Sequence, residues 1–178
     1  MKSLGQHLST YASYHRDRRN FATHFFGIPM IVLGTSTLLS RPSWMLEGVP
    51  LSPAILATAG AALFYFLLDL RLGLVMTALF SLSAWAGATL AAQHTAIWLG
   101  AGLGLSAVGW VIQFVGHYYE GKKPAFVDDV AGFLVGPLFV VAETAFALGL
   151  RAELKQAIEA SAGPTFIRPL RATAETGR

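Results

Sequence analysis

The stretch LGLVMTALFSLSAWAGATLAAQHTAIWLGAGLGLSAVGWVIQFVGHYY, residues 72–119, contains no Asp, Glu, Lys or Arg. A hydrocarbon core of about 30 Å is crossed by about 20 helical residues, so this one run is long enough for two crossings, and Gln93-His94 at its middle is the natural turn. Two further uncharged runs lie upstream, between Arg19 and Arg41 and between Glu47 and Asp69. Lipid tolerates no unpaired backbone, so each run is expected to be helical. The fold class read from this pattern is all-α: a polytopic membrane helix bundle with four transmembrane helices, roughly Phe21–Ser40, Ser52–Leu68, Leu72–Ala92 and Thr95–Tyr118. Composition agrees, because only 13% of residues are charged where an ordinary soluble domain carries about a quarter. With a mean hydropathy of +0.53, the excess apolar surface calls for lipid.

The distribution of Lys and Arg sets the sidedness. Lys2, Arg16, Arg18 and Arg19 precede the first span, Arg71 lies between the second and third, and Lys122 and Lys123 follow the fourth, while only Arg41 falls on the other side. Both termini are therefore expected in the cytoplasm, with short outer loops at Arg41–Leu51 and Gln93-His94. Met1–Asn20 is polar and basic without an apolar core, so the first span is expected to serve as the membrane signal. Val130–Leu150 is apolar but carries Gly136-Pro137 and Glu143. Pro137 removes a backbone donor and Glu143 would be costly against lipid, which predicts a broken, re-entrant or interfacial segment. Arg151–Ala160 reads as a surface helix. The domain expectation is one integral membrane unit over residues 1–160 and a flexible C-terminal tail over 161–178.

With no cysteine in the chain, thiolate-bound zinc and iron–sulfur clusters are excluded, and a metal must take His, Asp, Glu, Asn or Gln. Sidedness brings His15 and His24, at the cytoplasmic end of the first span, into one layer with His117 at the cytoplasmic end of the fourth; His94 and His7 fall outside it. His15 and His24 are nine residues apart, opposite faces of an unbroken helix at about 100° per residue. Asn20 offers a break: as an N-cap it would start the span afresh, letting a preceding helix through Leu8–Tyr14 fold back. On the fourth span Gln113, His117 and Glu120 form one polar stripe, which must face protein or water. Three imidazoles with Glu120, Asp128, Asp129 and Glu143 nearby suit Fe(II), Mn(II) or Zn(II). These residues alone leave open a metal enzyme, a zinc-dependent lipid hydrolase and a proton-relaying membrane transport protein. Polar groups gathered at one face, with spans nearly free of them, favour an interfacial enzyme over a transport pathway.

At these residues the chain resembles the 2-hydroxy fatty acid dioxygenase family, whose fungal member acts in phytosphingosine breakdown. Tyr14-His15, Asn20 and His24 with Gly27-Ile28-Pro29 look like its first signature; Trp110–Ala125 (WVIQFVGHYYEGKKPA) looks like its second, and Gly136-Pro137-Leu138 with Glu143 is similar to a third. The resemblance runs from about residue 4 to 150. It implies an Fe(II)-dependent α-oxidation in which a 2-hydroxy fatty acid and O₂ give the acid one carbon shorter. His15, His24 and His117 are carried over as iron ligands, and Asn20, Gln113, Glu120 and Glu143 as catalytic-site polar residues, the two glutamates as groups orienting imidazoles. The acyl chain is expected between the first and fourth spans. Membrane lipids are the other partners implied, nucleic acid is not, and self-association stays open. The resemblance also implies a bacterial inner membrane where the fungal relative occupies the endoplasmic reticulum.

Overall fold

A computed structural model describes residues 2–169. Its elements in order are α1 (Leu4–Ala12), α2 (Arg18–Ser40), a two-stranded antiparallel hairpin β1 (Trp44–Leu46) and β2 (Val49–Leu51), α3 (Pro53–Leu68), α4 (Leu70–Ala91), α5 (Thr95–Glu120), a 3-10 turn over Ala125–Val127, α6 (Gly132–Ala147) and α7 (Ala152–Ala162). The helix starts follow side-chain capping. Ser3 and Gln6 close a capping box on α1, Ser52 caps α3, and Asp69 caps α4, each satisfying backbone amides that the first turn leaves free.

Three helices, α2, α4 and α5, are each long and apolar enough to cross a membrane, and a fourth crossing arises if α6 and α7, bent by 118°, are taken as one broken span. The expected second crossing is the exception. α3 has 16 residues, about 24 Å at 1.5 Å each, so it falls short of a full hydrocarbon core although its ends agree with the sequence. The break foreseen at Pro137 lies elsewhere. α6 runs through Pro137 without interruption, and the chain turns at Gly149 (φ 76°) and Arg151 (φ 58°). Pro137 deprives the Phe133 carbonyl of its amide partner without ending the helix, whereas the left-handed residues beyond Ala147 do end it. The segment expected as a loose tail from Ser161 also divides: Ser161 and Ala162 complete α7, and Phe166 pairs in parallel with Asp17; residues 170–178 lie outside the described residues.

Two features of the packing place the site. Leu8, Tyr11 and Ala12 of α1 bury themselves against Leu138, Phe139 and Ala142 of α6 and Ile158 of α7, which holds α1 under the bundle beside the start of α2. The second is the seam between α2 and α5, where backbones nearly touch: a Cβ on Gly109 would stand 2.8 Å from the Gly27 carbonyl, and one on Gly34 would stand 2.8 Å from the Gly102 carbonyl. Small residues permit such approach in apolar surroundings. The outward faces carry exposed Leu63, Leu74, Leu82, Trp85 and Val111, an apolar surface of the kind that lipid covers.

Candidate metal centre

His15 sits in the loop between α1 and α2, His24 in the second turn of α2, and His117 in the last turn of α5. Reversal of the chain at Ser13–Arg16 brings the first two together, and the glycine seam brings in the third. All three are buried, with one ring nitrogen of each within 4.8 Å of the others. Ring centroids are separated by 4.5 Å (His15–His24), 5.0 Å (His15–His117) and 5.1 Å (His24–His117).

The free nitrogens can be identified. His15 Nδ1 donates to the Tyr11 carbonyl at 2.8 Å and His24 Nδ1 to the Asn20 carbonyl at 2.9 Å, so both present Nε2. His15 Nε2 and His117 Nδ1 are buried and, among the described residues, have no hydrogen-bond partner. Burial first, then the neighbouring His24, pushes the His15 imidazole well below its ordinary value, leaving it neutral at pH 7 with a lone pair available. Buried polar atoms are ordinarily bonded, and metal-bound histidines ordinarily hold a carbonyl or carboxylate with their other nitrogen. The orphaned nitrogens and the carbonyl-anchored rings therefore fit a bound metal ion. Nitrogen donors without thiolate suit Fe(II), Mn(II) or Zn(II).

Glu120 touches no imidazole nitrogen. Its carboxylate accepts from Arg16 N (3.1 and 3.0 Å), Asp17 N (2.8 Å) and Asn20 Nδ2 (3.1 Å), so it fixes the loop that follows His15, and the rings are oriented by backbone carbonyls instead. The N-cap of α2 is Asp17, not Asn20; Asn20 lies inside the helix as the Glu120 donor and, through its carbonyl, as the His24 anchor. Asp17 also takes Arg19 Nε at 3.1 Å; this Arg19 guanidinium bond is the chief cause that holds its carboxyl at about 2. Glu143 lies 3.8 Å from Arg16 Nη2, across a cavity of about 250 Å³ that His15 also borders. Gln113 is buried, and its Nε2 has no hydrogen-bond partner among the described residues. His7 packs edge-on against Phe64, His94 is exposed at the opposite end of α5, and Asp128 and Asp129 pair with Lys123 and Lys2 at the surface. None of these joins the triad.

Sequence reasoning passed over Tyr11, whose ring stacks on His15 at 4.1 Å with planes 5° apart. An aromatic one turn from a histidine is indistinguishable from core in a sequence. Arg16 reads in the sequence as topology signal or as a holder of an acidic headgroup or carboxylate; it is buried beside Glu143, donating Nε to the His15 carbonyl at 3.0 Å and Nη1 to the Gly163 carbonyl at 2.8 Å. His24, His117 and Gln113 border an apolar slot walled by Ile28, Val32, Trp110, Phe133 and Pro137, about 70 Å³ in volume. The slot lies between the α2–α5 pair and α6. The seam between α2 and α5 themselves, where an acyl chain was expected, has no room for one.

The family description "2-hydroxy-palmitic acid dioxygenase Mpo1-like" matches residues 1–148, which include the whole triad. The chain is similar to the 2-hydroxy-palmitic acid dioxygenase MPO1 of Saccharomyces cerevisiae, with 32% identity over 158 residues that cover 88% of this chain and 87% of the yeast protein. No solved structure matches.

Proposed function

The chain belongs to the Mpo1-like family, and from that premise we propose that it is a membrane-embedded, Fe(II)-dependent dioxygenase that shortens 2-hydroxy fatty acids by one carbon. The observation that carries this reading is the triad itself: three buried imidazoles from separate elements with ligand nitrogens within 4.8 Å, two of those nitrogens having no hydrogen-bond partner among the described residues. His15 Nε2, His24 Nε2 and His117 Nδ1 would hold the ion. When bound, Fe(II) supplies open positions for a 2-hydroxy acid and O₂ side by side, together with the redox chemistry that cleaves the C1–C2 bond. The overall reaction balances as 2-hydroxy acid plus O₂ giving the shorter acid, carbon dioxide and water.

The protein's own contribution is placement. The Tyr11 and Asn20 carbonyls fix two rings in the tautomer that leaves Nε2 free, and Glu120 fixes the loop between them. A slot of about 70 Å³ holds only a few methylene groups, since a 150 Å³ cavity is filled by one benzene. The remainder of a long acyl chain would run out along α6 into the bilayer, so the slot works as the inner end of a lateral entrance. Exposed apolar residues on α2, α4 and α5 support an integral membrane location. The excess of Lys and Arg near the triad's end of the bundle supports that end, and both termini, facing the cytoplasm.

The test is metal analysis of the purified protein paired with O₂ consumption on adding 2-hydroxypalmitic acid. About one iron per chain and substrate-dependent O₂ uptake are expected, both lost in His117→Ala. Zinc in place of iron with no O₂ uptake, or a His117→Ala protein with full metal content and activity, would overturn the proposal.

A further inference from the structure

Tyr11 serves the triad through its carbonyl and its ring, and its hydroxyl is left over. The residue is 7% exposed, and among the described residues the hydroxyl has no hydrogen-bond partner, unlike that of buried Tyr65, which donates to the Leu134 carbonyl at 2.9 Å. The oxygen itself is not sealed off, so it is open to a group that enters the space beside it. The hydroxyl occupies a notch in α6, because a Cβ on Gly136 would stand 2.9 Å from it. Tyr11 also borders two cavities at once. On one side is the apolar slot shared with His24 and His117; on the other is a cavity of about 270 Å³ whose wall includes the charged and polar residues Lys2, His7, Thr10 and Asp129. Ala125 and Gly132 line both as well. Polar space therefore gives way to apolar space at Tyr11, next to the triad, and that is where the head of an amphiphile meets its tail. Gln113 also borders the slot, and among the described residues its buried Nε2 has no hydrogen-bond partner.

Resting on the dioxygenase reading, we propose that Tyr11 and Gln113 hold the substrate's head beside the triad, the Tyr11 hydroxyl bonding the 2-hydroxyl and the Gln113 amide donating to the carboxylate. The assignment follows from what each group can do. A phenol both donates and accepts, as an alcohol does, whereas an amide N–H only donates, which suits a carboxylate oxygen. Tyr11 is then the group that tells a 2-hydroxy acid from the plain acid of equal length, since the plain acid would cover the hydroxyl without pairing it. Sites built to bond a substrate hydroxyl reject analogues lacking it.

The experiment compares anaerobic binding of 2-hydroxypalmitic and palmitic acids to the full-length, iron-loaded protein in detergent, wild type against Tyr11→Phe. Phenylalanine keeps the ring stacked on His15 and the carbonyl that holds His15 Nδ1, so iron content should equal that of the wild type. The preference for the 2-hydroxy acid should fall about tenfold, or about 1.4 kcal/mol, through weaker binding of that acid alone. Gly136→Ala, which displaces the hydroxyl without removing it, should act in the same direction, and it keeps the test available if Tyr11→Phe fails to fold. A wild type that prefers the 2-hydroxy acid, with both variants keeping the full preference, overturns the role of Tyr11 and leaves the dioxygenase reading standing. A wild type that binds both acids equally, or neither, overturns both.

Discussion

Glu120 is the side chain on which the position of His15 turns. Three N–H donors converge on its two oxygens, two of them the backbone amides that follow His15. Glu120→Gln would set an amide donor against these donors and leave at least one buried N–H unpaired, at about 1–3 kcal/mol each. We expect a loss of about 3 kcal/mol, read as a thermal midpoint lower by about 6–12 °C, with reduced iron content; an unchanged midpoint and full iron would remove Glu120 from this role. The histidines were legible in the sequence because imidazoles near the ends of apolar runs are conspicuous and sidedness sorts them into layers. What holds them was not. Carbonyl anchors such as those of Tyr11 and Asn20 carry no side-chain signature, and the Arg16 and Glu120 contacts join residues about a hundred positions apart.

Among the elements, α2 and α5 decide whether His24 and His117 meet. Their extents were legible to within three residues at each end, because an uncharged run bounded by charged or polar residues marks both ends of an apolar helix. The seam between them was legible only in kind. Gly87, Gly102 and Gly109 abut another helix, whereas Gly60 and Gly104 face open space; periodicity cannot say which neighbour a face will meet. The contrast supplies its own control. Gly109→Val must displace the Gly27 carbonyl and the Ile31 backbone, at about 1–3 kcal/mol of overpacking, and should separate the two histidines enough to lower iron occupancy. Gly104→Val should leave both stability and iron unchanged. Equal effects of the two substitutions on iron content would show that the seam does not set the triad.

At the scale of the whole molecule, two long-range ties close the structure beneath the bundle. Arg151, at the start of α7, donates to Asp69 in the α3–α4 turn at 2.8 Å, and the Arg151 guanidinium holds the Asp69 carboxyl below the ordinary carboxylate range. A carboxyl depressed on folding contributes stability that is complete above its unfolded value, about 3.9, and is lost as pH falls through its lower folded value. Asp69→Asn should therefore melt below the wild type at pH 7, and the gap should narrow as pH falls below about 4; a gap independent of pH would mean that the charge is irrelevant.

The second tie comes from beyond the family match. Phe166 N donates to the Arg16 carbonyl and Arg18 N to the Phe166 carbonyl, both at 3.0 Å, while Arg168 donates to Asp17 Oδ2 at 2.8 Å and to the Glu120 carbonyl at 2.9 Å. A strap from the far end of the chain thus covers the loop that carries His15, although its sequence reads as a polar tail with nothing to bury. Its hydrogen bonds are mostly to backbone, which is why no pattern announces them. Truncation after Ala162 should leave α2, α4 and α5 in place yet expose the Arg18 amide, seen as faster hydrogen exchange there and unchanged exchange within those helices. Because the strap supports the ligand loop and does not itself offer a ligand nitrogen, iron affinity should fall by about 10–100-fold, as on loss of outer contacts at other metal sites, without loss of the fold. Faster exchange at Arg18 with undiminished iron affinity would show that the His15 loop holds its shape from α1 and Glu120 alone.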